Sequence, residues 1–338
     1  MYKRSLLIAG LILLFTFGLN AKPTTIKFAT LAPDGSTWMD VMNAFKQAVE
    51  DSTDGQIVFK IYSGGVQGDE VDVLRKMRFR QLHSAGFTGV GLGEILPEVR
   101  ILDAPFLFRS YDEIDFISDK FFDRFAAAFE EKGFVLLGWA EVGFVYIYTN
   151  TPVRQPSDFK GVKMWMWEGD PLAQATFEAF NVHPIPLSIT DVLTSLQTGL
   201  IDGVYTSPMG CVTLQWFTKL KYVLDLPLAN SNGAVLVSKQ VFNRLSKEHQ
   251  NILRRLGRKY FDELTRRSRI DNNKSQQEML KSDIKKITID DPAEIKKFES
   301  IGAEARRELV GRLYDQQLLD KVEKAVRQYR HQQKTGGE

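Results

Sequence analysis

The sequence predicts an α/β protein of two lobes. Three observations carry that prediction. Strand-like and helix-like periodicities alternate from Thr25 to Thr88, the pattern of a mostly parallel sheet covered by helices. A second alternation of strand, helix, short strand, helix and strand runs from Pro156 to Pro208. The chain has 338 residues, enough for two domains of roughly 150 residues each.

The elements follow in order. Thr25 to Thr30 alternates as a half-buried strand. The loop Leu31 to Ser36 ends in a residue suited to cap a helix. Met39, Met42, Phe45 and Val49 then recur at helical spacing over Trp38 to Glu50. Asp54-Gly55 marks a turn, and Gln56 to Tyr62 is a second strand of period two. A flexible Ser63 to Gly68 loop precedes a helix over Asp69 to Arg80 and a third strand over His83 to Thr88. Asp112 to Lys132 is an amphipathic helix; Phe134 to Trp139 and Phe144 to Thr149 read as strands. Ala234 to Ser238 is a further strand. Helices follow over Lys239 to Leu245 and Lys247 to Thr265, and Ser268 to Lys281 continues in helix. Ile284 to Ile289 is a short strand, Pro292 to His331 is mostly helix, and residues 332–338 form a polar tail that cannot bury a core.

The amino terminus reads as a secretory signal peptide over residues 1–21. Tyr2-Lys3-Arg4 is a short basic region, Leu6 to Leu19 is an apolar run, and cleavage is expected after Ala21. The run is short for a membrane span, which takes roughly 20 apolar residues. No cysteine lies near the cut, which excludes a lipid anchor there. Cys211 is the single cysteine, so no intrachain disulfide forms and the exported protein relies on its core. A formal net charge of +2 with interspersed signs, and no recognition motif, argue against a nucleic-acid partner.

The residues do not assemble a catalytic constellation. None of His83, His183, His249 and His331 stands at metal-ligand spacing from another histidine or from the cysteine. Ser207-Pro208-Met209-Gly210 lacks the G-x-S-x-G of a nucleophile elbow. The run Gly86-Phe87-Thr88-Gly89-Val90-Gly91 lacks the dinucleotide spacing and its acidic partner. Glycine there lets the backbone pass close to a ligand or a neighbouring lobe. An enzyme, a metal and a cofactor are not expected.

The aromatic residues say more. Trp165 and Trp167 alternate with Met164 and Met166, so both indoles share one face of a strand. That strand ends beside the acidic turn Glu168-Gly169-Asp170. Open α/β sheets bind ligands outside the carboxyl ends of their strands. The strand ending at Tyr205-Thr206 meets the same rule.

These stretches resemble one family, the extracytoplasmic solute receptors of TRAP transporters, the DctP-type P subunits. The family pattern D-L-K-G-L-K-I-R-V-P is matched by Asp158-Phe159-Lys160-Gly161-Val162-Lys163-Met164-Trp165-Met166-Trp167. L-Q-T-G-x-x-D-G is matched by Leu196-Gln197-Thr198-Gly199-Leu200-Ile201-Asp202-Gly203. Asp103-Ala104-Pro105-Phe106-Leu107-Phe108-Arg109 is similar to the family's D-L-P-F-L-F-R and reads as an extended segment docked on the first sheet.

The resemblance covers nearly the whole mature chain. It implies a two-domain periplasmic binding protein clamp, type II-like, each lobe a mixed sheet flanked by helices, with a long helix spanning both lobes. Lobe I is then 22–143 and 227–265, and lobe II is 144–226 and 266–331. The hinge crossings fall near Glu141 to Tyr146 and Leu226 to Gly233. A small-molecule ligand closes the clamp, which delivers it to the integral membrane subunits of a sodium-coupled TRAP transporter. The alternative is a periplasmic sensor that presents the closed form to a membrane receptor.

Most such receptors hold an organic anion through an arginine in the strand occupied here by Trp165, because a guanidinium pairs bidentately with a carboxylate. A second arginine of some members aligns with Val145. A buried carboxylate without a cation costs several kcal/mol, so the departures imply an apolar or amphipathic ligand. They also resemble a subset that works with a helical-repeat periplasmic protein. The expected ligand-binding residues are Trp38, Phe87, Thr88, Phe144, Val145, Trp165, Trp167, Glu168, Tyr205 and Thr206.

Overall fold

The computed structural model describes residues 22–335. The expected signal peptide, residues 1–21, and the last three residues of the expected tail lie outside that range.

Lobe I opens with β1 (Thr24–Ala29), α1 (Thr37–Ser52), β2 (Ile57–Tyr62), α2 (Glu70–Arg78), β3 (Ser84–Thr88) and α3 (Gly89–Ile95). Ser36 caps α1, its hydroxyl accepting from the Met39 N–H, which satisfies one of the first-turn donors. A 3₁₀ turn over Pro97–Asp103 leads to α4 (Tyr111–Glu131) and β4 (Phe134–Trp139).

Lobe II begins at β5 (Gly143–Thr149). It continues through β6 (Trp165–Trp167), α5 (Pro171–Ala179), β7 (Ile185–Leu187), α6 (Val192–Thr198), β8 (Gly203–Thr206), α7 (Pro208–Thr213), β9 (Tyr222–Leu224) and β10 (Ala229–Ser231). The chain then re-enters lobe I at β11 (Gly233–Ser238) and α8 (Lys239–Phe242). α9 (Lys247–Lys281), β12 (Lys285–Ile287), α10 (Pro292–Glu308) and α11 (Gln316–Thr335) complete it.

The lobe I sheet has the order β2-β1-β3-β11-β4. β1 is parallel to β2 and β3, whereas β11 is antiparallel to β3 and β4. In lobe II the order is β10-β5-β9-β12, with β8 also paired to β5, and β6 pairs β7 in parallel. Each lobe is thus built on a mixed sheet, as expected.

Several boundaries differ from expectation. β10 pairs Ala229–Ser231 with Gly143–Val145, so residues 229–231 belong to the lobe II sheet and the return crossing is at Asn232. α11 does not lie in lobe II. Its Leu318, Leu319, Val322, Ala325 and Val326 are buried with Phe121 and Phe125 of α4 in the lobe I core, and it covers residues 332–335 of the expected tail. The long helix expected to span both lobes is α9, one helix of 35 residues, about 50 Å long at 1.5 Å per residue. Its Leu253, Leu256, Phe261 and Leu264 sit in a lobe I core and its Met279 in a lobe II core, so it spans both.

The segment after Asp103 also departs from expectation, because it bridges the lobes. Leu107 and Phe108 are buried in lobe I. Phe106, at φ +51°, donates its N–H to Leu228 O at 2.7 Å and packs its ring on Phe180 and Phe298 of lobe II.

Two strands cross between the lobes side by side. Ala140 N–H donates to Gly233 O at 2.7 Å and Val142 N–H to Ser231 O at 3.0 Å. α9 braces the crossing. The Asn272 amide donates to Val142 O at 2.7 Å and accepts from Met209 N–H at 2.9 Å. Arg269 pairs with the buried Glu141 at 2.9 Å and with Asp115 of α4 at 2.6 Å. Gly143 sits at φ +110°, and a Cβ there would lie 2.4 Å from the Asn272 amide nitrogen. Gly143→Ala is therefore expected to destabilise the fold by about 1–3 kcal/mol. A urea midpoint matching wild type would contradict this.

Candidate ligand-binding site

A cavity of about 170 Å³ lies between the lobes. An apolar cavity of about 150 Å³ suffices for benzene, so the closed clamp has room for a small molecule. Lobe I contributes Thr88, Gly89 and Val90 at the start of α3, with Arg100 and Asp103 from the 3₁₀ turn. Lobe II contributes Val145 of β5, Trp165 and Trp167 of β6, Phe177 of α5, Tyr205 and Thr206 of β8, and Trp216.

The lobe II wall is an aromatic cluster organised by Trp165. Its ring stacks on Tyr205 at 5.0 Å, meets Trp216 edge-on at 5.2 Å and lies 6.1 Å from Trp167. Its Nε1–H donates to Leu187 O at 3.0 Å. The period of two in β6 thus delivers both indoles to one face and ties the first to the neighbouring strand.

Polar groups around the cavity are mostly committed. Thr176 donates to Leu172 O at 2.7 Å, and Ser207 accepts from Gly210 N–H at 3.0 Å. Tyr205 Oη accepts from Trp167 N–H at 3.3 Å. Arg100, the one cation among the described residues that line the cavity, is held by Asp103 and Asp170. Its Nε donates to Asp103 Oδ2 at 2.9 Å; its terminal nitrogens donate to the two oxygens of Asp170 at 2.9 and 3.1 Å. A side chain at Gly89 would collide with Asp103, its Cβ 1.8 Å from Oδ2, so glycine makes this approach possible. Burial lifts the Asp103 carboxyl to about 6 despite the pull of Arg100. Two acidic side chains thus face one guanidinium.

Arg100 lies in lobe I and Asp170, which caps α5, in lobe II, so their pair also fastens the cleft. A second fastening is Asp69, which caps α2. Its Oδ2 accepts from Trp167 Nε1–H at 3.0 Å and from Ser188 Oγ–H at 2.9 Å. The structure is thus a closed clamp.

Beside Asp69, Glu70 is buried under the α3 turn and accepts from Thr88 N–H and Gly91 N–H, both at 2.7 Å, and from Thr88 Oγ1 at 3.0 Å. Burial raises its carboxyl from 4.5 to about 7, against those hydrogen bonds. The folded state then holds this proton more tightly than the unfolded chain. Its contribution is fully present below about 4.5 and is lost as pH rises to about 7. Glu70→Gln is expected to flatten the fall in stability between those values, by up to about 3 kcal/mol at about 1.4 kcal/mol per pKa unit. Denaturant titrations across that range would show an unchanged slope if Glu70 were not responsible.

Of the residues expected from sequence, Thr88, Val145, Trp165, Trp167, Tyr205 and Thr206 line the cavity. Four do not. Trp38 packs on Phe28 at 6.0 Å and against Gly86 on another face of the lobe I sheet. Phe87 is buried in the lobe I core. Phe144 points opposite to Val145 and packs on Tyr111 at 4.7 Å. Glu168 is exposed on its turn. Arg100, Asp103, Asp170, Trp216 and Asn230 complete the site and were not expected; only Asp170 carried a signal, in the acidic turn that follows Trp167.

A family model described as bacterial extracellular solute-binding protein, family 7, matches residues 28–317. A solute-binding protein of Chromohalobacter salexigens is 33% identical over 164 residues, 48% of each chain, so the chain spans about half the length of that relative. The 2,3-diketo-L-gulonate-binding periplasmic protein of Escherichia coli is 28% identical over 74% of this chain and 76% of its own. The fold is similar to a TRAP periplasmic solute binding protein from Pseudomonas putida with bound D-glucuronate, at TM-score 0.81 and 25% identity over 88% of this chain and 96% of that one.

Proposed function

This chain belongs to the bacterial extracellular solute-binding proteins of family 7, and from that membership we propose that it captures a small apolar or amphipathic molecule in the cleft and delivers it to a sodium-coupled TRAP transporter. The family consists of binding receptors rather than enzymes. Among the described residues no helix is long and apolar enough to cross a membrane, and the place of action is the periplasm. The observation that carries the ligand class is the Arg100 cluster. Arg100 is already engaged by Asp103 and Asp170, while Trp165 and Val145 present apolar surface where the family's anion receptors resemble one another in carrying arginine. Burying about 200 Å² of apolar ligand surface supplies about 5 kcal/mol at roughly 25 cal/mol per Å². The same substitutions support a helical-repeat periplasmic partner in delivery.

The reading departs from the acids bound by the similar proteins above, and that makes it easy to test. Titration calorimetry with C4-dicarboxylates, keto acids and sugar acids should give no micromolar binding. Micromolar affinity for any of them would overturn the ligand class and leave the receptor role intact. Mass spectrometry of the molecule that co-purifies identifies the ligand directly. Small-angle scattering should show a larger radius once that molecule is removed, because hinge proteins open at their crossings.

A further inference from the structure

The lobe I sheet has a second end, away from the cleft. β11 pairs Gly233 with Thr88 at the cleft and Ser238 with Phe134 at the far end, roughly 17 Å away at about 3.4 Å per residue. A cavity of about 310 Å³ lies at this far pole, lined in part by Arg78, Arg80, Lys132, Ser238 and Gln240. Among the described residues that line it there are three cations and no acid. Arg78, Arg80 and Lys132 are all exposed, and none pairs with a carboxylate among the described residues. The acids next to Lys132 in the chain do not offset them. Glu130 is engaged by Arg254 and Lys239, and Glu131 lines no part of the cavity. His83, whose C=O accepts from Ser238 N–H at 2.8 Å, stands at the same pole. Burial, and then the charges of Lys27 and Arg244, hold its imidazole below the ordinary range.

Cations at helix C-termini are favoured by the helix dipole, which accounts for Arg78 and Lys132 at the ends of α2 and α4. It does not account for Arg80, which lies beyond α2 at φ +62°, where glycine fits at least cost. Nor does it account for Phe79, which at 72% is the most exposed of the large apolar residues described. The turn that carries them is firmly held. Met77 and Leu82 on either side are buried, and Lys76 O accepts from Gln81 N–H at 2.8 Å and Leu82 N–H at 3.3 Å. Arg78, Phe79 and Arg80 are thus presented to solvent from a rigid support.

We propose that this pole of lobe I docks on an anionic phospholipid surface, with Phe79 entering the interface and Arg78, Arg80 and Lys132 meeting lipid phosphates. Cations grouped with an exposed aromatic ring are the composition of reversible membrane contacts. A free phosphate would use the cations and leave Phe79 in water. The carbonyl ends of α2 and α4 also disfavour a small anion held deep in the cavity, whereas head groups meet the exposed side chains outside it. The contact concentrates the receptor at a membrane without a covalent lipid, and the cleft, at the other end of the sheet, faces away from that surface. It is independent of the ligand in the cleft.

Co-sedimentation tests this with protein recovered from the periplasm, without residues 1–21. The vesicles are phosphatidylcholine alone and an equal mixture of phosphatidylcholine and phosphatidylglycerol. At about 0.1 M salt, partitioning onto the mixed vesicles should exceed that onto phosphatidylcholine at least about tenfold, and it should collapse at about 1 M salt. Arg80→Gly should lower partitioning about fivefold and melt at or above the wild-type temperature, because glycine takes the left-handed conformation freely. Combined with Arg78→Gln and Lys132→Gln, it should lower partitioning on the order of a hundredfold. Phe79→Ser should weaken binding to the mixed vesicles and leave the melting temperature unchanged, since the ring is largely outside the fold. Equal partitioning onto the two vesicle types overturns the proposal, as does binding to mixed vesicles that survives the triple variant. Calorimetric binding of inorganic phosphate that Arg80→Gly removes, without vesicle binding, shows a free-anion site and overturns the membrane assignment.

Discussion

Arg100→Met is expected to lower folding stability by about 3–5 kcal/mol, the loss that follows removal of one partner from a buried ion pair. Arg100, Asp103 and Asp170 are all nearly excluded from solvent, with side-chain exposures of 6%, 8% and 2%. With the guanidinium gone, Asp103 keeps only the Asn232 N–H at 2.7 Å and Asp170 keeps the Leu172 N–H at 3.0 Å. Two carboxylates then remain in an apolar wall with nothing to neutralise them. Acid should relieve the defect, since a protonated carboxyl does not repel its neighbour, and the deficit should shrink as pH falls towards about 6, because without the pull of Arg100 the Asp103 carboxyl takes up its proton above the value it has in wild type. Adding Asp170→Asn to Arg100→Met should recover part of the loss for the same reason. Urea denaturation near neutral and at mildly acidic pH measures both effects. A loss below about 1 kcal/mol, the range of exposed pairs, or a deficit insensitive to pH, would mean that the cluster carries little charge.

The same cluster shows what was legible in the chain and what was not. Periodicity located nearly every sheet element of lobe I, because β1, β2 and β3 alternate or are followed by well-capped helices. It also singled out Trp165 and Trp167, since two indoles at spacing two must share a face. Arg100 was hidden for a physical reason. Its neighbours Val99 and Ile101 make the segment read as ordinary core, and the partner that gives the arginine meaning lies 70 residues away in the other lobe. Phe144 and Val145 show the opposite failure. Both were expected at the site, yet adjacent residues of a strand face opposite ways, and only Val145 reaches the cavity. The return of α11 to lobe I was not legible, because an amphipathic helix states that it has a buried face and not which lobe receives it. Asn230 carries no local signal at all; it lies on a strand of three residues that exists only because β5 offers it an edge.

Trp165→Ala is expected to cost about 3–5 kcal/mol, the usual range for truncating a large buried aromatic, and to impair ligand capture more than any other single change in lobe II. The indole is 2% exposed and is the shared neighbour of Tyr205, Trp167 and Trp216. Removing it opens a void between three aromatic rings and takes the Nε1–H bond from Leu187 O, which keeps only the Glu168 N–H at 3.2 Å. Two consequences can be separated by a second variant. Trp165→Phe keeps a ring to stack on Tyr205 and loses only the Nε1–H and part of the volume, so it should cost less than half as much. If the indole's role is packing alone, the co-purifying molecule will remain bound to Trp165→Phe at wild-type affinity and leave only Trp165→Ala. If the indole is a ligand contact, affinity will fall in both, because the cavity wall has moved back from the ligand in each. Denaturant titration gives the first quantity and calorimetry with the identified molecule the second. Retention of full affinity by Trp165→Ala would remove Trp165 from the binding site altogether and return it to the core of lobe II.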